Sequence, residues 1–146
     1  MISLDTNILV YAVDENSGER HQHAANLVRN ARDAPVALTE QAIFEFVNVV
    51  TRKAKLTLDR ALPYVQELLT TFTLICPSDA IVNDVFALIE AHNLNVFDAR
   101  ILAVCGAHGC DHLLSEDLQD GAQYGAVRIV NPFNTANASL VEQLLS

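Results

Sequence analysis

Short apolar runs along the chain alternate with longer stretches in which apolar residues recur every three or four positions. Ile2-Ser3-Leu4 is the first short run and reads as a buried strand. It ends in Asp5-Thr6-Asn7, residue types that favour helix starts, and Ile8 to Val13 continues as helix. Glu19 to Arg32 predicts a second helix, with His23, Ala24, Leu27, Val28 and Ala31 recurring at helical spacing. Pro35 to Leu38 is a short strand, and Thr39 caps a long helix from Glu40 to about Lys53. Thr57-Leu58-Asp59 opens another helix, with Pro63 near enough to its start to be tolerated. Phe72 to Cys76 is a β-rich run ended by Pro77. Ser78-Asp79 caps a helix to about His92. Val96-Phe97-Asp98 leads into a helix to about Ala107, with Gly109 placed to end it. His112 to Ser115 and Val127 to Val130 read as strands. Asn131-Pro132-Phe133 closes a domain of residues 1–133, and 134–146 form a tail, polar and then faintly helical.

Alternation of this kind implies a parallel sheet covered by helices on both faces. Ligands of open α/β sheets bind beyond the carboxyl ends of the strands, so chemistry is sought just after each strand.

Composition narrows the classes. The chain has 146 residues, 51% of them hydrophobic and 18% charged, which fits one folded domain and excludes a disordered chain. The net charge of −9 excludes nucleic-acid binding through bulk positive charge. The three cysteines are odd in number and form no C-x-x-C, so a reducing, cytoplasmic setting is expected. The N-terminus lacks the basic region of a signal peptide, and no apolar run approaches a membrane span.

Acidic residues occupy the positions where chemistry is expected. Asp5 follows the first strand, and Asp117 lies two residues past the strand that ends at Ser115. Asp98 opens its helix between Phe97 and Ala99. Glu45 sits among Ala42, Ile43, Phe46 and Val47; at 100° per residue it falls roughly 120° from the centre of that apolar face, on its border. Four carboxylates drawn together would raise one another's pKa. A hard divalent cation resolves that conflict, since Mg²⁺ takes carboxylate oxygens and can activate water against a phosphodiester. The metal then brings the positive charge that the surface lacks. Each acid alone also fits a plain helix cap, and spacing does not prove that the four meet.

Leu4-Asp5-Thr6-Asn7, Glu45-Phe46-x-Asn48-Val49, Phe97-Asp98-Ala99 and Leu114-Ser115-Glu116-Asp117 with Asp120-Gly121 together resemble the PIN domain. Val127 to Phe133 is similar to the ending of its small bacterial members. The likeness covers residues 1 to about 133 and is nearest to the VapC-like toxins of type II toxin–antitoxin pairs. It implies a three-layer α/β/α fold with a mainly parallel sheet, and an Mg²⁺- or Mn²⁺-dependent endoribonuclease leaving 5′-phosphate and 3′-hydroxyl ends. The family's acids fall on Asp5, Glu45, Asp98 and Asp117. Asp5, Asp98 and Asp117 would hold the metal, with Glu45 directly or through water. Ser115 and Asn7 match supporting positions, Asp120 is an outer acid, and Glu116 is expected to face solvent. The implied partners are single-stranded or loop RNA, a cognate antitoxin and a second copy of the chain.

Other features admit two readings. Arg52-Lys53-x-Lys55 is the only basic cluster and suits either a helix C-terminus or RNA contact. Leu68 and Leu69, within Val65 to Phe72, suit either core or a groove for an antitoxin segment or second subunit. Cys105-x-x-His108-x-Cys110-x-His112 has zinc-ligand types, but a helix and a strand start would aim them apart. His21 and His23 carry no partner pattern, and Arg100 has no assigned role. The competing functions are an inactive PIN-fold binding module and a different Mg-dependent phosphate-ester hydrolase. Asp5-Thr6-Asn7 lacks the Asp-x-Asp of haloacid dehalogenases, and neither lysine follows a strand as a receiver domain requires.

Overall fold

The computed structural model describes residues 1–146. Six strands form one sheet: β1 (Ile2–Leu4), β2 (Val36–Thr39), β3 (Thr73–Ile75), β4 (His112–Leu114), β5 (Gln123–Tyr124) and β6 (Val127–Val130). Seven helices accompany them: α1 (Thr6–Val13), α2 (Glu19–Asn30), α3 (Glu40–Arg52), α4 (Leu58–Thr71), α5 (Ile81–His92), α6 (Val96–Ala107) and α7 (Ala138–Leu144).

The strand order is β3-β2-β1-β4-β6-β5. All pairings are parallel except β5 with β6, where Gln123 faces Arg128. The chain builds outward from β1 to β2 and β3, then returns to lay β4 on the other side of β1. That reversal places a crevice at the carboxyl ends of β1 and β4, where α/β sheets bind ligands.

Alternation within the strands divides the core in two. Ile2, Leu4, Val36, Leu38, Leu114 and Val130 face one side and pack with Leu9, Leu27, Phe46, Leu68 and Val141. Ala37, Leu113, Ile129 and Val127 face the other and pack with Val85, Ile101, Leu102 and Cys105. Each face therefore carries its own helix layer, as the period of two requires. The predicted elements are present with shifts of one to three residues at their ends. Two features depart from the sequence reading. β5 is a two-residue edge strand with no apolar run to announce it. The N-cap of α5 is Ala80, with no side-chain hydrogen bond, rather than Ser78-Asp79. The faintly helical tail of residues 134–146 contains a 3-10 turn and α7, and Val141 joins the same core as α1 and α2.

Candidate active site

Three helices begin at the crevice, each for a local reason. Asp5 is the N-cap of α1, and its Oδ1 accepts from the Thr6 N–H at 2.8 Å. Thr39 ends β2 and caps α3, its Oγ1 accepting from the Ala42 N–H at 3.1 Å. Asn95 caps α6, its Oδ1 accepting from the N–H groups of Phe97 and Asp98 at 3.0 and 2.9 Å. Helix N-termini favour negative charge, so Asp5 and Asp98 stand where anions are best tolerated, while Glu45 lies in the second turn of α3.

Neutral donors hold each carboxylate. Ser115, fully buried, donates from Oγ to Asp5 Oδ2 at 2.6 Å and accepts the Asp117 N–H at 3.2 Å. One hydroxyl thus ties the acid after β1 to the acid after β4. Asn7 donates to Asp117 Oδ2 at 2.7 Å. Asn95 donates to Asp98 Oδ2 at 2.6 Å. Thr6 Oγ1 donates to Glu45 Oε2 at 2.9 Å, and Gln41 Nε2 donates to Glu45 Oε1 at 2.8 Å.

The acids sense one another. Burial pushes the Asp5 carboxyl up to about 6 against the pull of its Ser115 and Thr6 hydrogen bonds, and the charges of Asp117 and Asp98 add to the rise. Asp98 is raised by burial and then by Glu45, with Asn95 opposing. Asp117 is raised by burial, then by Glu116 and Asp98. Asp5, Glu45, Asp98 and Asp117 therefore share one electrostatic site, with Asn7 and Ser115 among them.

The site's chemistry suits a hard cation. Its donors are oxygens only, which favours Mg²⁺ or Mn²⁺ over thiolate-seeking metals. As placed, no three His, Cys, Asp or Glu side chains stand close enough to hold a metal ion together. A Mg²⁺ ion that keeps part of its water shell can be held by one or two carboxylates directly and by the others through water.

Other candidate residues have partners outside the four acids. Asp120 points its oxygens at the tail: they accept from the Asn131 N–H at 2.9 Å, Asn134 Nδ2 at 2.8 Å and Asn137 Nδ2 at 2.9 Å. These bonds hold its carboxyl below the usual range, the Asn131 N–H foremost. Arg52 ends α3, about 10 Å along the axis beyond Glu45 and away from the helix start at the crevice. Arg52, Lys53 and Lys55 are exposed there, as cations complementing a helix C-terminus.

Glu116 does not face solvent as its loop position suggested. Its side chain is 13% exposed and takes an Arg20 ion pair at 2.5 Å and a Tyr11 Oη hydrogen bond at 2.5 Å. Arg20 also lies over the Phe133 and Tyr11 rings, 4.8 and 5.6 Å from their centroids. Burial and the Glu116 charge push the Tyr11 hydroxyl up to about 12.

The Cys/His pattern makes no metal site. Cys105 and Cys110 are buried, His108 donates to the Cys76 carbonyl at 2.8 Å, and His112 meets Asp111 at 3.0 Å. Thr6, Gln41 and Asn95 are site residues that sequence reasoning passed over. Only Asn95 had a local signal, an Asn three residues before an acid at a helix start.

The PIN domain family model matches residues 2–119. Over 143 residues the chain is 27% identical to ribonuclease VapC24 of Mycobacterium tuberculosis (strain CDC 1551 / Oshkosh), covering 92% of this chain and 99% of that protein. It superposes on a toxin–antitoxin complex from Klebsiella pneumoniae with a TM-score of 0.66 at 25% identity, covering 91% of this chain and 98% of that chain. Mycobacterium tuberculosis VapC20, a sarcin–ricin loop cleaving toxin, shares the fold with a TM-score of 0.65 at 19% identity, over 88% of this chain and 99% of that one.

Proposed function

The chain belongs to the PIN domain family, and from that premise we propose that it is an Mg²⁺- or Mn²⁺-dependent endoribonuclease of the toxin type. The observation that carries the proposal is the gathering of Asp5 after β1, Asp117 after β4 and Asp98 at the start of α6, each raised by burial and by a neighbouring acid, with Glu45 of α3 acting on Asp98 and each of the four held by a neutral donor. Neutral donors orient an acid without cancelling the charge that a cation needs. Asp5, Asp98 and Asp117 are the residues that would hold the ion, with Glu45 directly or through water. When bound, such an ion lowers the pKa of water and offsets charge on the phosphodiester.

The chain's own residues supply orientation. Ser115 fixes Asp5 and, through the Asp117 N–H, the loop after β4. Thr6 and Gln41 fix both oxygens of Glu45, whose remaining lone pairs can accept a proton from an attacking water. The substrate class is single-stranded or loop RNA, whose backbone is accessible and whose bases can be splayed apart.

The likeness to a toxin–antitoxin complex supports an antitoxin as partner. An open cavity of about 490 Å³ between α1, α2, α3 and α4, lined by Leu9, Val13, Val28, Phe46, Leu68 and Phe72, could seat an apolar segment of it. Val82, Phe86 and Val96, each close to half exposed or more, are the surface proposed for a second copy of the chain.

RNA cleavage measured with Mg²⁺ or Mn²⁺, with EDTA, and with folded Asp5→Asn and Asp98→Asn tests the reading. Metal-dependent cleavage lost in both variants is expected. Cleavage that survives EDTA and both substitutions would overturn the mechanism. Turnover of a phosphomonoester in place of RNA would favour a phosphatase, and Mn²⁺ or RNA binding without cleavage would favour a binding module.

A further inference from the structure

Gln41 lies on α3 one turn before Glu45, and Arg100 lies on α6 two residues after Asp98. Their side chains join the two helices that carry these acids. Gln41 is only 6% exposed, and both ends of its amide are committed. Its Oε1 accepts from Arg100 Nη1 at 2.8 Å. Its Nε2 donates to Glu45 Oε1 at 2.8 Å and to the Phe97 carbonyl at 3.1 Å. Arg100 Nη2 also donates to Glu40, the first residue of α3.

The amide can point only one way. Turned over, it would set its NH₂ against the guanidinium and its carbonyl against the Glu45 carboxylate and the Phe97 carbonyl. A guanidinium is a donor only and an ionised carboxylate an acceptor only. All three contacts would become repulsive in a buried place, where unpaired polar groups cost most. Arg100 therefore selects the Gln41 orientation that hands a donor to Glu45. It does so without touching Glu45, and Glu40 takes up its charge. A cation bonded directly to Glu45 would compete with any divalent ion for the carboxylate. One step removed, it orients the acid and leaves its charge free.

We propose that Arg100 and Gln41 are a positioning relay for Glu45, with Arg100 locking the amide through which Gln41 aims the carboxylate into the site. The proposal rests on the nuclease reading only for its kinetic consequences; the relay itself has a structural readout. Residues acting behind a metal ligand typically alter affinity or activity 10–100-fold.

The test uses the full chain and the variants Arg100→Met, Arg100→Lys, Gln41→Met and the double Met variant. In ¹H–¹⁵N spectra of the metal-free protein, the Gln41 side-chain NH₂ should be shifted and slow to exchange, and Arg100→Met should abolish both. Arg100→Lys, which keeps a donor, should restore them in part. In activity assays Gln41→Met should lower kcat about 10–100-fold, with KM for RNA within about twofold, and weaken Mn²⁺ binding measured by EPR. Arg100→Met should do the same in the natural background and nothing further in the Gln41→Met background, because its effect passes through the amide. Additive losses in the double variant would overturn the relay, as would Gln41 NH₂ signals unmoved by Arg100→Met. If the natural protein neither cleaves RNA nor binds Mn²⁺ while the NH₂ signals respond to Arg100→Met, the nuclease reading fails and the relay stands.

Discussion

Asn7 donates to Asp117 Oδ2 at 2.7 Å across 110 positions of chain. The bond joins the first turn of α1 to the loop after β4, and Tyr11, one turn further along the same helix, holds Glu116 in that loop. Two side chains four residues apart on one helix face therefore grip two consecutive acids, as helical geometry allows.

Asn7→Ala removes the donor and leaves Asp117 with its neighbours Glu116 and Asp98 as like charges. The expected outcome is an Mn²⁺ affinity and an RNA cleavage rate about 10–100-fold lower with the fold retained. Titration with Mn²⁺ followed by EPR, beside circular dichroism, checks it. Unchanged affinity would show that Asp117 needs no help from α1.

Removing the other half of that grip should act on stability first. Tyr11 and Arg20 converge on Glu116, and Arg20 stacks on Phe133 near the end of β6. Arg20→Ala loses a partly exposed ion pair and a stacking contact, with an expected cost of about 1–2 kcal/mol in urea unfolding. Arg20→Lys should recover only part, since an ammonium cannot pair and stack as a planar guanidinium does. Full recovery by Lys would assign the whole effect to charge.

Burial pushes the Asp5 carboxyl from an ordinary 3.8 up to about 6. Between those values the folded state binds more protons than the unfolded chain, so stability of the metal-free protein falls as pH rises through that window. Asp98 and Asp117 are raised too and act in the same direction. Asp5→Asn should flatten the slope and stabilise the metal-free protein at pH 7, with a ceiling of about 3 kcal/mol. Mg²⁺ should restore stability to the natural protein at pH 7 and lose its effect below about pH 6, where protons compete for Asp5. Urea unfolding from pH 4.5 to 7.5, with EDTA and with Mg²⁺, measures both. A flat profile in EDTA would remove burial as the dominant influence on Asp5.

Much of this arrangement was legible in the chain, and the part that was not has a common cause. Strands and helices follow from period and caps, and the acids stand out because carboxylates beside Phe97 or Phe46 are conspicuous. Gln41 and Thr6 give no such signal. Their roles depend on Arg100 and Glu45, which tertiary folding brings near from 59 and 39 positions away. Glu116 misleads for a related reason, and the tail partners of Asp120 go unannounced: loops have no periodicity to tell an inward from an outward side chain. In the sequence Asp120 sits near the acid motif, but in the structure its partners are Asn131, Asn134 and Asn137. β5 escapes notice because a two-residue edge strand needs no apolar pattern.

Asp120 makes the sharpest contrast with the four site acids. Its oxygens gather three donors from the segment that follows β6 and leads into α7. Asp120→Ala leaves the Asn131 N–H and the Asn134 and Asn137 side chains without their common acceptor and should loosen α7, whose Val141 packs on the α1 and α2 core. The expected result is faster amide exchange confined to residues 131–145 and a stability loss of about 1 kcal/mol. Mn²⁺ affinity and RNA cleavage should stay within about twofold of the natural protein, since no bond runs from Asp120 to Asp5, Glu45, Asp98 or Asp117. A metal affinity reduced as much as by Asn7→Ala would return Asp120 to the site as an outer acid. Exchange changes without a change in affinity would fix its role in the tail.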